Sequence, residues 1–191
     1  MSCRAGFVWD TAQHFIRYIE DCGVTCELVT PYMLAASFFK GSFNCLIIPT
    51  GFANPAYCHL LPALRASSGR ITSFVENGGH LLVFGAAIDH AGAYDWLPFP
   101  VTYLHEIHPR KITCPGSLKS GALIQDFDSE SIECDGSFPV HSGDAAGTSE
   151  GTTVIIEKKI GNGTIVVTSV HEYPSRAFLK EFCTSGIQTL F

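Results

Sequence analysis

His171 and Glu172 stand side by side after the apolar run Thr164 to Val170. A histidine next to a carboxylate is a common arrangement for moving protons. Among the eight cysteines, Cys58 is the best placed to act as a nucleophile. Asn54-Pro55 predicts a helix start just before Tyr57-Cys58-His59, and the positive end of a helix lowers a thiol pKa. The plainer reading of Cys58 is a core thiol near that start. Asp89-His90 follows an apolar strand, where it either points into a pocket mouth or forms a polar turn. His105-Glu106-Ile107-His108 carries two histidines, but in a strand they face opposite sides and do not make a metal pair. Asp126, Asp128, Glu130, Glu133 and Asp135 concentrate negative charge in one short region. Their spacing is looser than a calcium loop, so a solvated acidic face is expected. No cysteine pair has the CxxC spacing of a zinc or redox site. Reduced thiols are expected, with no metal and no cofactor.

The elements that must position these residues are legible from periodicity. Residues 3–9 form an apolar strand ending at Asp10, and 11–22 have helical spacing, with Phe15, Ile16 and Ile19 on one stripe and Gly23 as the stop. Val24 to Val29 is a second strand. Thr30-Pro31 starts a helix that Met33 to Phe39 continues, since a hydroxyl cap followed by proline suits a first turn. Asn44 to Pro49 is a third strand, apolar on both faces as parallel strands covered by helices are. A long helix is predicted from Asn54-Pro55, with Leu60, Leu61, Leu64, Ile71, Phe74 and Val75 on its buried face and Asn77-Gly78-Gly79 as its end. Leu81 to Phe84 is the fourth strand.

This alternation predicts a doubly wound, mostly parallel α/β sheet with right-handed crossovers, built as one domain over residues 1–191. Residues 95–150 read as a loop-rich insertion of short strands that extends the sheet. Thr152 to Glu157 and Thr164 to Val170 form a C-terminal β-hairpin around Ile160-Gly161-Asn162-Gly163, and a last helix spans 175–184. Ligands in open α/β sheets bind beyond the carboxyl ends of the strands. Asp10, Gly51 and Gly85 all fall there, which predicts a pocket at that edge.

Three pieces carry a family resemblance: Leu46-Ile47-Ile48-Pro49-Thr50-Gly51-Phe52, the turn from Gly78-Gly79 to Gly85, and Val167-Thr168-Ser169-Val170-His171-Glu172. With their spacing they resemble the class I glutamine amidotransferase-like superfamily. Within it they are similar to the non-classical branch of biotin–protein ligase N-terminal-like and trehalose-utilisation-like proteins. The resemblance implies a flavodoxin-like fold. It also implies an oxyanion-binding loop at Thr50, Gly51 and Phe52, a nucleophilic cysteine on the elbow after the fourth strand, and a histidine base at His171 oriented by a glutamate. An ungapped reading puts Gly85 at the nucleophile position, and no Cys or Ser occurs from His80 to Trp96. Glu172 is adjacent to His171 rather than two residues beyond it.

A triad without its sulfur cannot form the thioester that releases ammonia from glutamine. The expectation is therefore a non-hydrolytic protein that binds a small molecule, or a partner, at the carboxyl edge. The site would comprise Asp10, Thr50, Gly51, Phe52, Gly85, Ala86, Asp89 and His90, with His171 and Glu172 as remnants or repurposed groups. The alternative is an enzyme of another class that uses His171 and Glu172 as acid and base, with or without a metal, or Cys58 as a relocated nucleophile. A third reading is an assembly module, a protein partner or homo-oligomer docked through an apolar patch at Trp96-Leu97-Pro98-Phe99-Pro100-Val101.

The 46% hydrophobic and 16% charged content describes a well-buried globule. A net charge of -6 gives no basic face for nucleic acid, and no apolar run is long enough to span a membrane. The first residues go straight into a strand without a signal-peptide core, so a cytoplasmic location is expected.

Overall fold

The computed structural model describes residues 3–171 and 173–191. Met1, Ser2 and Glu172 lie outside the described residues. In chain order the elements are β1 (Arg4–Val8), α1 (His14–Asp21), β2 (Thr25–Val29), α2 (Pro31–Ala35), β3 (Ser42–Phe43), β4 (Cys45–Ile48), α3 (Leu60–Ala66), α4 (Ser68–Glu76) and β5 (His80–Val83). They continue with β6 (Val101–Arg110), a 3-10 turn (Lys119–Ile124), β7 (Ile132–His141), β8 (Asp144–Ser149), β9 (Thr152–Ile160), β10 (Gly163–Thr168), α5 (Arg176–Ser185) and β11 (Thr189–Leu190). Among the described residues, no helix is long and apolar enough to cross a membrane.

The main sheet runs in the order β2-β1-β4-β5-β10-β9-β7-β6, with β8 paired to β9, and β3 and β11 form a small separate ladder. From β2 to β10 every pair is parallel. These strands are the apolar runs of the sequence, and Cys45, Leu46, Ile47, Leu81, Leu82, Val83, Val166 and Val167 are all buried. From β10 onward the pairing is antiparallel through the β9–β10 hairpin and the β7 and β6 strands. Residues 95–150 thus extend the same sheet. The fold is the doubly wound, flavodoxin-like and amidotransferase-like α/β architecture.

β1 has β2 on one side and β4 on the other, so the chain reverses its direction of travel across the sheet between them. With right-handed crossovers, that reversal sends successive helices to opposite faces and opens a crevice at the carboxyl ends of β1 and β4.

Two helices differ from their expected bounds. α2 starts at Pro31, where the Met33 N–H donates to Thr30 Oγ1 at 3.3 Å, but Ala36 is already extended and ends it after little more than one turn. The helix expected from Asn54-Pro55 begins only at Leu60. Asn54 makes an Asx turn instead, accepting from the Ala56 N–H at 3.0 Å and donating to the Ala87 carbonyl at 3.0 Å. Pro62 fixes the start: in the first turn of α3 its missing N–H costs nothing, whereas deeper in a helix it would break a bond. The run is interrupted again at Ser67, whose hydroxyl donates to the Leu34 carbonyl at 2.7 Å.

Buried His80 links β5 to α5. Its Nδ1 accepts from the Thr164 N–H at 3.2 Å, and its Nε2 meets Ser185 Oγ at 3.3 Å. Burial holds the imidazole pKa below its ordinary value, and a second ring proton would face the Thr164 donor. The unfolded chain therefore binds this proton more readily, and stability is lost as pH falls from the unfolded histidine value, near 6.5, toward the lower folded one. His80→Gln should give a shallower loss of stability than wild type between pH 7.5 and 5.5, read from urea midpoints. Equal slopes would contradict the assignment.

Candidate functional site

At the crevice, β1 runs on through Trp9 to Asp10, and β4 runs on into Pro49, Thr50 and Gly51. Trp9, Pro49, Thr50, Phe84, His171 and Tyr173 are among the residues lining a small cavity of about 190 Å³ there. His171 is exposed at its mouth, and its N–H donates to the Glu133 carbonyl at 2.9 Å. Tyr173 forms a wall by stacking on Phe15, with centroids 4.5 Å apart and planes 9° from parallel. The orienting role expected of Glu172 falls outside the described residues.

The oxyanion loop departs from expectation. Gly51 adopts φ +88°, and its N–H donates to the Gly85 carbonyl at 2.8 Å, which takes that donor out of the crevice. The Tyr57 ring lies over it; a Cβ at Gly51 would sit 2.8 Å from the ring. Phe52 is a core residue, fully buried edge-on to Tyr94 and Trp96 at 5.2 and 5.9 Å. Of the three loop positions, Thr50 is the one that lines this cavity.

At the elbow, Gly85 and Ala86 are buried, and the left-handed residue is Ala87 at φ 52°. A non-glycine residue in this region costs roughly 1 kcal/mol. The strained turn therefore falls two residues past Gly85. Neither Gly85 nor Ala87 carries a nucleophilic atom.

The space above Gly85 belongs to Asp135, brought in by β7. A Cβ at Gly85 would lie 2.0 Å from Asp135 Oδ1 and 2.2 Å from Oδ2. Asp135, expected on a solvated acidic face, is fully buried. Its N–H donates to the Ser169 carbonyl at 2.9 Å. Tyr103 Oη lies 3.0 Å from Oδ1, and His105 Nδ1 lies 2.7 Å from the Asp135 carbonyl oxygen. Oδ2 has no hydrogen-bond partner among the described residues. Burial, then the neighbouring Asp135 charge, pushes the Tyr103 phenol well above its ordinary pKa. This carboxyl group fills the space above the position where the resemblance leads one to expect a nucleophile.

The other candidates scatter. Cys58 precedes α3 rather than lying in its first turn, and its sulfur is 3.4 Å from the Phe52 carbonyl oxygen. Burial raises its pKa to about 11, which fits the plainer reading of a core thiol and runs against activation. Asp89 and His90 form an exposed polar turn: Asp89 Oδ1 accepts from the His105 N–H at 3.0 Å, and His90 Nδ1 accepts from the Gly92 N–H at 3.1 Å. Neither lines the crevice cavity. The apolar patch expected at Trp96–Val101 is largely internal, with Trp96, Leu97 and Phe99 buried. No group of three or more metal-ligating side chains is assembled among the described residues.

Asp10 is separated from the Thr50–His171 cavity and faces a larger one of about 730 Å³ between α2 and α3. Its Oδ2 accepts from the His59 N–H at 3.2 Å and lies 3.4 Å from His59 Nδ1.

Comparison with known proteins gives the same fold and little sequence likeness. No family model and no curated protein matches the chain. A Thermoplasma acidophilum structure, provisionally described as one component of a GMP synthase, aligns over 97% of this chain and 96% of its own, with TM-score 0.66 and 14% identity. A cytoplasmic protein from Salmonella typhimurium LT2 aligns over 95% and 96%, with TM-score 0.55 and 13% identity. A β-galactosidase from Bacillus circulans sp. alkalophilus contains the same architecture in 30% of its length, matching 96% of this chain at TM-score 0.54 and 12% identity. These likenesses establish an amidotransferase-like fold.

If Asp135 excludes a side chain at Gly85, Gly85→Ala should cost about 2 kcal/mol by overpacking. The cost should shrink by at least half in an Asp135→Ala background, because the two residues share one space. Denaturant midpoints of the four-member mutant cycle measure this. Additive effects would place the two residues apart.

Proposed function

We propose that this chain is a non-hydrolytic amidotransferase-like protein that holds a small molecule at the carboxyl edge of its sheet. The observation that carries the reading is the Asp135 carboxyl group packed on Gly85. The elbow lacks a nucleophile at residues 85–87, and the volume a thiol would need is occupied. The Gly51 N–H, which would stabilise an oxyanion, is bonded to the Gly85 carbonyl. Transition-state stabilisation of acyl transfer needs both a nucleophile and free donors aimed at the developing charge. The edge supplies neither at these positions. It does keep cavities that converge on the ends of β1, β2 and β4, where the topology favours ligands.

A small molecule fits this edge better than a docked enzyme does, since the segment from Trp96 to Phe99 turns its large apolar side chains inward. Purified protein incubated with glutamine should release ammonia at the rate of a protein-free control, and Cys58→Ala should not alter that rate. Turnover above the control that is lost in Cys58→Ala would overturn the reading in favour of a relocated nucleophile.

A further inference from the structure

We infer that the larger cavity, at the carboxyl ends of β1 and β2, binds a small organic cation: an amine on a flat apolar body, with Asp10 as its counter-ion. This rests on the ligand-binding reading above and names the ligand class for one part of that edge.

The cavity, at about 730 Å³, is within the range of small-molecule sites. Its walls come from α2 and α3 through Ala35, Ala36, Pro62, Ala63 and Ala66, whose side chains offer a ligand no hydrogen bond. The body of the occupant is therefore apolar. Its polar end is set by Asp10, because among the described residues no lysine or arginine lines the space and His59 is the other titratable side chain beside the Tyr32 phenol. The protein leaves the Asp10 carboxylate under-satisfied. Both contacts from His59 go to Oδ2; Oδ1 is sealed from solvent with no hydrogen-bond partner among the described residues, and the side chain as a whole keeps 29% of its surface exposed. An ionised carboxylate accepts up to about four hydrogen bonds, so an ammonium group at the exposed side of Asp10 adds a donor and charge balance together. An anion would meet Asp10 with no fixed cation to offset it. Thr30 Oγ1 already caps α2 and does not compete for the polar end.

Tyr32 gives the second sign. It lies at the rim of the same cavity and is 88% exposed, so its ring face is open to an occupant. A flat ligand bound below it would cover its face, and an ammonium near it would gain from the ring quadrupole.

Calorimetric titration of the full chain with benzylamine, benzyl alcohol and benzoate, which share one ring and differ in one group, tests the assignment. Benzylamine should bind saturably and about tenfold more tightly than the alcohol, the size of one charged hydrogen bond, and benzoate should bind most weakly. Asp10→Asn keeps the shape and an acceptor for the His59 N–H, and should bring benzylamine down to the affinity of the alcohol. Ala66→Trp, at an exposed position on the wall, should abolish both. Benzoate binding as tightly as benzylamine, an unchanged benzylamine affinity in Asp10→Asn, or no saturable benzylamine binding would each overturn the inference. Ammonia release measured on the same preparation separates the two levels. Without it, a failed titration removes the cation site and leaves the non-hydrolytic reading; with it, the non-hydrolytic reading itself fails.

Discussion

The packing of a buried carboxyl group against a glycine is the constraint on which the rest of this structure depends. Asp135 has no room unless residue 85 lacks a side chain. An acceptor sealed away from water without a donor costs about 1–3 kcal/mol, and Asp135 Oδ2 is in that position. The surroundings offset part of this through Tyr103, His105 and the Ser169 carbonyl, which hold the side chain and backbone of Asp135 in place. β6 and β7 supply all three of Tyr103, His105 and Asp135. The antiparallel extension therefore reaches back over the end of β5 and closes the elbow from above.

That closure changes what the carboxyl edge can do. A doubly wound sheet presents its strand ends and intervening loops to a ligand, and its switch point determines where the crevice opens. Here the elbow is plugged, the Gly51 donor is bonded internally and Phe52 is core. Two cavities remain at neighbouring strand ends. Thr50 and His171 border the small one, while Asp10 and the alanine-lined gap between α2 and α3 form the large one. Under the proposed function, recognition in these cavities takes the place of chemistry at the elbow.

The parallel core was legible because buried strands and amphipathic helices have distinct periods, and Cys45–Ile48 and His80–Val83 lie where their apolar runs place them. The helix start at Leu60 was misread because Asn54-Pro55 signals a turn as readily as a cap, and Pro62 was the residue that decided between them. The missing nucleophile was visible directly, as an absence from His80 to Trp96. What filled its place was not visible. Asp135 is in an acidic, glycine-rich stretch whose composition suggests solvent, and its burial comes from a β7 register that no local pattern encodes. Asp10, Asp89 and His90 do not line one cavity for a similar reason: proximity along a sheet edge does not fix direction, and Asp89 turns toward β6.

The most direct test of a chemically silent elbow is covalent capture with an electrophilic glutamine analogue, such as a γ-chloroketone, followed by intact-protein mass spectrometry. Such a reagent alkylates a thiolate held beside a glutamine site and leaves buried, protonated thiols untouched. With Cys58 raised by burial and no sulfur at residues 85–87, the structure predicts an unchanged protein mass, with all eight thiols titratable after unfolding. A stoichiometric single adduct that free glutamine prevents would contradict it and return a working nucleophile to this edge.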